Sequence, residues 1–414
     1  IDYSVDGIAS WYADSGWRAD RAALRALDEV TAKTDVHAVS EALKATYQPW
    51  LDTNAKALQA AIGPAANAGT YSSTPAPAPT NGEVVMFIDG LRLDVAHLLT
   101  DRLDGAGLEH DLAYGFAALP TITETSKPAL VPIDQSLLCA GEALDARRAP
   151  DGPSASVQVL RALLAGVGVQ VLQGDDTGDP SGTAWTEAGK LDSRGHGLGA
   201  EFVHVIDDEV ERIALRIEEL FDAGWATITI VTDHGWLLLP GGLPKAELKP
   251  ALVEKKKGRC ARIKDNAPVD VPTVPWHWDP NVRIALAPGI SCFEANQTYE
   301  HGGVSPQECV VPRLTIRRGA TAAAAGSITS VKWRGLTLVV EFTGLPDGAR
   351  LDLRKQAGDA GSSIAQITRI TGGQGKSILL VEDEDNEGST AQLVVVNDDG
   401  TILQQIATTV GQNR

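Results

Sequence analysis

The chain has 414 residues and a formal net charge of −18, with 54 acidic against 36 basic side chains. Its 43% hydrophobic and 22% charged residues are ordinary globular composition, which excludes wholesale disorder, and no apolar run reaches the ~20 residues of a bilayer span. The acidity also excludes a protein that coats nucleic acid through its overall field, so a polyanion must be met by a local site or a metal.

Cysteine use and the first residue bear on the cellular compartment and on the extent of the chain. The cysteines are widely spaced, with no CxxC pair and no dense disulfide pattern: Cys139, Cys260, Cys292 and Cys309. This spacing favours a reducing compartment, and because no signal peptide precedes the first helix we expect a cytoplasmic protein. The chain begins at Ile1, so we interpret it as a processed protein or a fragment of a longer one.

The N-terminal part of the chain is predicted to be helical as far as a proline-rich linker. Apolar residues recur at helical spacing over residues 18–62, and Pro64 is predicted to end the pattern. Alternating prolines over residues 69–80 indicate a stiffened loop or linker. The sequence leaves open whether these helices pack on the main domain or on a missing upstream region.

The middle of the chain alternates predicted strands and helices. Apolar runs predict strands at 84–88, 169–172, 226–231 and 282–286, and helical periodicity covers 156–165 and 202–223. This alternation predicts an α/β fold with a mostly parallel sheet flanked by helices. Reactive groups gather outside the carboxyl ends of such strands, which is where Asp89 and the pair Asp233-His234 lie.

From about residue 326 the pattern changes to short strands. Alternating or continuous apolar segments are separated by Gly, Asp and Asn turns: 336–342, 349–353, 377–381 and 391–396. They predict a small all-β domain, most simply a sandwich. With the Ala/Gly-rich residues 319–326 as a linker, the predicted parts are an N-terminal helical segment and linker at 1–82, a catalytic domain at 83–318 and a β domain at 326–414.

The sharpest chemical feature is Asp233-His234 at the end of a predicted strand. A carboxylate beside an imidazole presents two metal-type ligands together, whereas the alternative is a helix N-cap aspartate next to an incidental histidine. His301 lies in the permissive loop His301-Gly302-Gly303 and is a further candidate ligand, with a plain turn histidine as the alternative.

Asp89 and the residues that follow it form a second group of candidates. An aspartate before glycine is common in turns, but Arg92 three residues later can bind a phosphate bidentately or pair with Asp94. The hydroxyl-rich segment 121–126 is typical of an N-cap and turn, or supplies a hydroxyl nucleophile held at a metal.

Two acids near the start of the predicted helix 202–223 form a third candidate pair. Asp207 and Glu211 are four residues apart and share a helix face, so they can converge on one cation. Acids at a helix start are also favoured by the macrodipole, which is the structural alternative.

A basic segment precedes a tryptophan-rich one. The cations are Lys245, Lys249, Lys255, Lys256, Lys257, Arg259, Arg262 and Lys264, and the cluster Trp276-His277-Trp278 follows them. The segment can guide a nucleotide or nucleic-acid strand towards a site. The alternative is a solvated loop with buried tryptophans.

Together these segments resemble the PglZ family, a branch of the alkaline phosphatase superfamily. The resemblance covers roughly residues 84–316 and rests on four segments in the right order: 85–92, 119–123, 231–235 and 301–312. The family is associated with BREX-type bacterial defence against phage, and its superfamily comprises metal-dependent phosphatases, phosphodiesterases, phosphomutases and sulfatases. The resemblance therefore implies an alkaline-phosphatase-like fold and a defence-system hydrolase that works with other defence proteins.

The resemblance also implies a site for two divalent ions, zinc first and manganese as the alternative. The implied ligands are Asp89, Thr123, Asp233 and His234 for one ion and Asp207, Glu211 and His301 for the other. Superfamily members usually carry Asp-x-x-x-His where this chain is expected to offer Asp207-x-x-x-Glu211. That departure favours a harder ion such as Mn²⁺ at the second position, or His204 as a substitute ligand.

The implied reaction is metal-dependent phosphoester hydrolysis. Thr123 is the implied nucleophile, with Thr121 and Thr125 as competitors, and it would form a phosphothreonine that a water then hydrolyses. Arg92 would bind the substrate. We expect phosphodiesters to be favoured over monoesters, with nucleotides and nucleic acid among the candidate substrates and no membrane partner. The alternatives are a catalytically degenerate PglZ-fold scaffold and a partner- or nucleic-acid-binding subunit.

Overall fold

The computed structural model describes residues 2–318, 327–346, 348–370, 374–397, 400 and 402–412. They form two compact units. The first comprises the described residues up to Leu103 together with His110–Ile316, and the second comprises Asp104–Glu109 together with the described residues from Arg317 onward. The predicted linker at 319–326 lies outside the described residues.

Helices form the N-terminal part of the first unit, as predicted, but their bounds differ from the prediction. They are α1 Val5–Trp11, α2 Trp17–Asp28 and α3 Lys33–Asn67, with a π-helical turn between α1 and α2. The predicted stretch is therefore interrupted after Asp28. The prediction that Pro64 ends the pattern is wrong, because α3 continues to Asn67. A proline close to a helix end removes a single backbone hydrogen bond, and Asn67 Nδ2 donates to the Gly63 carbonyl at 2.7 Å.

These N-terminal helices pack on the α/β part of the same unit, which answers the question that the sequence leaves open. In one core cluster, Leu58 and Ile62 of α3 pack with Val304. In another, Leu51 of α3 packs with Ile290. The early helices are thus part of the unit that carries the candidate site.

The remaining elements follow in chain order. The helices are α4 Leu93–Gly105, α5 Thr123–Leu130, α6 Val157–Gly166, α7 Leu191–Leu198, α8 Ile206–Asp222 and α9 Pro306–Cys309. The strands up to Arg318 are β1 Glu83–Phe87, β2 Leu108–Phe116, β3 Leu138–Ala140, β4 Ala146–Arg148, β5 Gln170–Leu172, β6 Thr183–Glu187, β7 Thr227–Val231, β8 Leu237–Leu238, β9 Val253–Lys256, β10 Cys260–Ile263, β11 Thr273–Trp276, β12 Asp279–Leu286, β13 Tyr299–Glu300 and β14 Val310–Arg318. The later strands are β15 Ser327–Arg334, β16 Thr337–Thr343, β17 Arg350–Arg354, β18 Thr368–Arg369, β19 Gln374–Leu380, β20 Thr390–Val396 and β21 Ile402–Thr409.

A six-stranded sheet in the order β2-β14-β7-β1-β6-β5 is the centre of the first unit. Strands β7, β1, β6 and β5 run parallel, and β1 and β7 are buried along nearly their whole length. The predicted α/β class with a mostly parallel sheet and flanking helices is confirmed. The predicted strand at 282–286 is part of β12, which pairs antiparallel with its near neighbours β10 and β11 in a separate sheet.

The described residues of the second unit from Ser327 onward form β-strands, as predicted. Its sheets have the orders β15-β16-β19 and β18-β17-β20-β21. Side chains from both sheets, such as Leu338 of β16 and Leu393 of β20, meet in one apolar cluster. Two sheets that share a core in this way form a sandwich.

Two further sequence-level expectations concern cysteines and membranes. Each of the four cysteines is a free thiol, and three of them are buried. In the part of the chain that the structure describes, a membrane-spanning helix is not found, since the helices are too short or too polar to cross a bilayer.

Candidate metal centre

Two aspartates meet where adjacent parallel strands end. Phe87 of β1 and Val231 of β7 are register partners, and Asp89 and Asp233 each lie two residues beyond them. The sheet therefore brings these carboxylates side by side, as predicted from their positions at the carboxyl ends of two strands. On the other side of β1, β6 leads to α7, and the Asp192 amide reaches the Asp89 carbonyl at 3.4 Å.

The predicted ligands of the first ion lie together. Ligand atoms of Asp89, Asp233 and His234 are all within 4.8 Å of one another. His234 Nε2 lies 3.5 Å from Asp89 Oδ1, 3.7 Å from Asp233 Oδ2 and 3.1 Å from Thr123 Oγ1. Asp89, Thr123, Asp233 and His234 thus form one cluster, in which the half-buried Thr123 hydroxyl faces the imidazole.

The carboxylates of this cluster have the environment of cation ligands. Within the described residues, Asp89 Oδ1 and both carboxylate oxygens of Asp233 are buried without a hydrogen-bond partner. Burial raises the pKa of both carboxyls, and the neighbouring charge of Asp233 raises that of Asp89 further. Buried carboxylates without hydrogen bonds are costly unless a cation neutralises them, so the donor set fits a divalent metal ion.

His234 carries the compensating charge in this arrangement. Burial alone would lower its pKa, but the carboxylates of Asp233, Asp192 and Asp89 outweigh burial and raise the pKa to about 9. Its Nδ1 lies 3.1 Å from the Gly235 carbonyl, which directs Nε2 towards the carboxylates. A bound cation would take the place of the Nε2 proton, so this ring is suited to exchange a proton for a metal.

A second cluster adjoins the first. His301 Nε2 lies 3.0 Å from His196 Nε2 and 3.5 Å from Asp192 Oδ1, and the His301 ring stacks on that of His234 at 3.8 Å. Asp192, His234 and His301 form a second group with ligand atoms within 4.8 Å. Asp192 is half-buried, yet the three histidines hold the pKa of its carboxyl below the usual range. With one carboxylate and imidazole nitrogens, the cluster has the ligand types of a zinc site.

The second cluster contains neither Asp207 nor Glu211, the two acids predicted for the second ion. Asp192 and His196 lie one turn apart on α7, so the Asp-x-x-x-His spacing is present there. The structure does not bring Asp207 and Glu211 to His301: both are exposed on α8, and Glu211 pairs with Arg102 at 3.6 Å. The reason is the amphipathic stripe of α8, which is buried and turns these acids towards solvent.

The substitute ligand proposed from the sequence, His204, is also elsewhere. Its Nδ1 lies 3.0 Å from Asp28 Oδ1 on α2, and it lines a surface cavity. The Asp-x-x-x-His spacing is visible in the sequence at residues 192–196. Glycines flank His196 on both sides, and because glycine disfavours helix, the sequence alone does not indicate that the two side chains share a helix face.

His301 is held by the segment that carries the candidate nucleophile. Its Nδ1 lies 2.8 Å from the carbonyl oxygen of Thr121, to which it donates, so Nε2 presents a lone pair to Asp192 and His196. Burial and the charge of His234 lower the pKa of His301 to about 3, which keeps the ring neutral and able to bind a metal at neutral pH.

The three threonines of the hydroxyl-rich segment have different surroundings. Thr121 Oγ1 donates to the Gly303 carbonyl at 2.8 Å. Thr125 Oγ1 donates to the Leu144 carbonyl at 2.8 Å and accepts from Trp276 Nε1 at 3.0 Å. Of the three, Thr123 is the one whose hydroxyl lies against His234.

Tryptophans anchor the helix that begins at Thr123. Besides the Trp276 bond to the Thr125 hydroxyl, Trp278 Nε1 donates to the Thr125 carbonyl at 3.0 Å. Trp276 is buried, as the alternative interpretation of the tryptophan cluster predicts. The cluster therefore fixes α5 and hence the position of Thr123.

The structure contradicts the expectation that Arg92 binds substrate. Its Nε and Nη2 bind the two carboxylate oxygens of Asp94 at 2.6 and 2.8 Å, and its guanidinium lies 3.8 Å from the Trp236 ring centroid. The side chain is 1% exposed. The alternative pairing with Asp94 is the one that forms, because Trp236 and Asp94 bury the group and leave a phosphate no approach.

Lys127 is a buried cation near the site that sequence reasoning missed. It lies one turn after Thr123 on α5 and is 6% exposed. Its Nζ lies 3.1 Å from Glu187 Oε2 and 4.2 Å from the Phe87 ring centroid, at the ends of β6 and β1. Its charge opposes the effect of burial on Asp89 and Asp233. The spacing of four residues after Thr123 is the signal that could have identified it.

The basic segment does not form one free cationic surface. Arg259 is buried and pairs with Glu308 at 2.8 Å, and Lys257 pairs with Glu124, the residue after Thr123, at 2.5 Å. Arg262 pairs with Glu254 at 2.6 Å. Lys255 and Lys256 of β9 are exposed. Ion pairing therefore neutralises much of the charge that the sequence suggests as a strand guide.

Comparisons with known proteins return structures of low similarity. No model of a protein family and no curated protein matches the chain. Among solved structures, murine ectonucleotide pyrophosphatase/phosphodiesterase 5 is 11% identical with a TM-score of 0.38, covering 56% of this chain and 87% of that chain. An inactive threonine-to-alanine variant of the same murine protein, in complex with AMP, is 12% identical with a TM-score of 0.37 and the same coverage. The functional conclusion therefore depends on the side chains of the site.

Proposed function

We propose that this chain is a metal-dependent phosphohydrolase of the alkaline phosphatase type, with Thr123 as its nucleophile. The observation that carries this proposal is a pair of adjoining clusters of metal-type ligands that share His234, whose Nε2 lies 3.1 Å from the Thr123 hydroxyl. The buried carboxylate oxygens of Asp89 and Asp233 that have no hydrogen-bond partner among the described residues support it. We assign the first ion to Asp89, Thr123, Asp233 and His234, and the second to Asp192, His196 and His301.

The revised second site bears on metal identity. Replacing Asp207 and Glu211 by Asp192 and His196 exchanges a carboxylate for an imidazole. Imidazole nitrogens suit Zn²⁺, whereas all-oxygen sets suit Mn²⁺. We therefore propose zinc at both positions and retain manganese as the alternative.

In the proposed reaction the protein positions one hydroxyl against a phosphorus atom. Bound divalent ions would supply charge that lowers the pKa of the Thr123 hydroxyl and neutralises the phosphate oxygens. Thr123 Oγ1 attacks phosphorus and expels the ester oxygen, and a water then hydrolyses the phosphothreonine and frees Thr123. The Trp276 and Trp278 bonds to Thr125 hold α5, so the hydroxyl is oriented before substrate arrives.

Access to the site supports a reaction on an incoming anion. The His196 side chain is 43% exposed, whereas that of His234 is 0% exposed. The Asp89 side chain is 34% exposed and Thr123 is half-buried, so each cluster has a solvent-accessible side chain. A substrate can therefore reach the Thr123 hydroxyl from this exposed side of the centre.

We further propose, from the family resemblance, phosphodiesters before monoesters as substrates. The same resemblance supports a cytoplasmic PglZ-type role in BREX defence, with other defence proteins as partners. A nucleotide or nucleic acid is the proposed polyanionic substrate, for which the exposed Lys249, Lys255 and Lys256 are candidate contacts.

Hydrolysis of p-nitrophenyl esters tests the nucleophile. We expect the Zn²⁺- or Mn²⁺-loaded protein to hydrolyse bis-p-nitrophenyl phosphate and, more slowly, p-nitrophenyl phosphate. Thr123→Ala should lose about 10³-fold or more in kcat, because no other threonine hydroxyl of this segment faces His234. Full activity of Thr123→Ala would reject the nucleophile, and inactivity of the wild type towards both esters would reject the hydrolase.

A pair of aspartate variants tests the revised ligand set. Asp192→Asn should lose the second ion and most activity, whereas Asp207→Asn should keep both, because Asp207 is exposed on α8. Metal analysis of the purified variants is the measurement. The reverse pattern would restore the original assignment to Asp207 and Glu211.

The rival function is a catalytically degenerate scaffold. The departure at Glu211 and the appended β domain both motivate it, and the Asp-x-x-x-His spacing on α7 bears on the first of these. A wild-type protein that binds no ion when dialysed against Zn²⁺ would favour the scaffold, and loss of bound zinc in Asp233→Ala would count against it.

A further inference from the structure

One buried residue joins the segment of the candidate nucleophile to the loop of the second-site histidine. Thr121 is 0% exposed. Its carbonyl oxygen accepts from His301 Nδ1 at 2.8 Å. Its hydroxyl accepts from the Gly302 amide at 3.2 Å and donates to the Gly303 carbonyl at 2.8 Å. Three consecutive residues of the histidine loop are thus bound to a single threonine.

We propose that Thr121 is a positioning residue that fixes His301 as a ligand of the second ion and keeps that ligand in register with Thr123. This inference rests on the proposed two-ion site. It assigns to Thr121 a role different from that of a competing nucleophile.

The carbonyl of Thr121 sets which nitrogen of His301 is free. A hydrogen bond from Nδ1 to this carbonyl leaves the lone pair on Nε2, which faces Asp192 and His196 at 3.5 and 3.0 Å. Metal-binding histidines characteristically donate their other N–H to such an acceptor, which fixes the tautomer and the ring orientation.

The hydroxyl of Thr121 anchors the two glycines of this loop, which have no side chains of their own. Gly302 has φ of 102°, where a Cβ is strained, and a Cβ on Gly303 would lie 2.6 Å from the Arg259 guanidinium. Both positions therefore require glycine. The loop is held instead from outside, by the Thr121 hydroxyl on one side and by Glu308 Oε1, which accepts from the Gly303 amide at 2.8 Å, on the other.

The short distance along the chain couples this anchor to the nucleophile. Only Ile122, buried and placed at the N-cap of α5, separates Thr121 from Thr123. A shift of the glycine loop thus moves His301 relative to Thr123. Removing the hydroxyl should weaken the second ion and lower kcat, while leaving the first ion and KM close to their wild-type values.

Zinc titration of metal-depleted protein tests the proposal. Thr121→Val keeps the shape and removes the hydroxyl, and we expect the second ion to bind about 10–100-fold more weakly, with the first unchanged. Thr121→Ser keeps the hydroxyl and should restore wild-type affinity. Thr121→Ala, a second hydroxyl-free variant, should behave as Thr121→Val does, so the test does not depend on one substitution folding.

Thr125→Val is the matched control. It removes an equally buried hydroxyl from the same segment, but one that bonds Leu144 and Trp276 and no residue of the histidine loop. We expect its second-ion affinity to match the wild type. Equal weakening in Thr125→Val, or wild-type second-ion affinity in Thr121→Val, would overturn the proposal.

The metal readout separates this inference from the proposed function. If the wild type hydrolyses no phosphate ester but Thr121→Val still weakens the second ion selectively, the hydrolase fails and the positioning role stands. If the wild type hydrolyses esters and Thr121→Val binds both ions as tightly as the wild type does, the positioning role fails and the hydrolase stands.

Discussion

At the scale of single residues, the centre is defined by the buried carboxylates of Asp89 and Asp233 and by the imidazole of His234. The carboxylates favour a bound cation, and the protonated imidazole supplies the positive charge when no metal is bound. Asp89 and Asp233 follow register partners of two parallel strands, so a sequence that shows both strands also predicts their proximity. Arg92 is the opposite case. Whether it bound phosphate or Asp94 depended on Trp236, a distant residue whose packing no local pattern reveals.

The pKa of His234 predicts a pH-dependent metal affinity. Because that pKa is about 9 in the metal-free protein, a metal binding at Nε2 below pH 9 must displace a proton. The apparent Zn²⁺ affinity of the first site should then fall about tenfold for each pH unit below that value from this residue alone. Calorimetric titrations in buffers of different ionisation enthalpy measure the released protons.

A different outcome of these titrations would contradict the prediction for His234. No proton release, together with a pH-independent affinity between about pH 6 and pH 9, would show that His234 is neutral without metal. Since the charges of Asp233, Asp192 and Asp89 are what raise this pKa, Asp192→Asn should lower it and reduce the proton release, even if the first ion still binds.

At the scale of elements, α7 explains most of what the sequence did not reveal about the site. The strands that carry Asp89 and Asp233 are long apolar runs, which are recognisable. Helix α7 is short and contains two glycines beside His196, and its packing partner Tyr299 is far away in the chain. Tyr299 Oη donates to Asp192 Oδ1 at 3.0 Å, so a helix with weak local preference is held by a distant contact.

The two glycines of α7 predict opposite outcomes for the same substitution. A Cβ at Gly195 would overlap the Tyr299 ring, whereas Gly197 has open space around it. Gly195→Ala should displace α7 from Tyr299 and weaken the second ion about 10–100-fold. Gly197→Ala should leave ion binding intact and stabilise the helix by up to about 1 kcal/mol.

Zinc titration and thermal unfolding of both variants measure these effects. The comparison is internal, because the two positions are two residues apart on one helix. Similar second-ion affinities in Gly195→Ala and Gly197→Ala would mean that contact with Tyr299 does not position Asp192 and His196.

At the scale of the whole molecule, one buried carboxylate adds polar contacts to the apolar packing of the N-terminal helices within the unit that carries the site. Asp20 of α2 accepts from Tyr12 at 2.7 Å, from Tyr47 of α3 at 2.5 Å, and from Gln307 of α9 at 3.1 Å. The helical periodicity predicted these helices, but not where they dock. Docking depends on polar partners such as Asp20 and Gln307 that are 287 residues apart.

Asp20 predicts how stability changes with pH. Burial raises its pKa to about 6 from the ordinary 3.8, against the opposing charge of Arg92 and the tyrosine hydrogen bonds. Between pH 3.8 and about pH 6 the folded state therefore holds a proton on Asp20 that the unfolded chain has already lost. Stability from this group is fully present below about pH 4 and is lost as the pH rises through about 6, a change of about 3 kcal/mol for a shift of two units.

Urea unfolding of metal-free wild type and Asp20→Asn between about pH 4 and pH 7 isolates this effect. Asparagine does not titrate, so the free energy of unfolding of the wild type should fall by about 3 kcal/mol relative to Asp20→Asn across that window. Asp14→Asn, an exposed aspartate in the same turn as Tyr12, is the control and should track the wild type. If the difference in free energy of unfolding between wild type and Asp20→Asn stays constant with pH, Asp20 is already ionised at pH 4. Arg92, Tyr12 and Tyr47 would then be what stabilises the ionised form. The carboxylate would then stabilise the docked helices as an anion at every pH in the window.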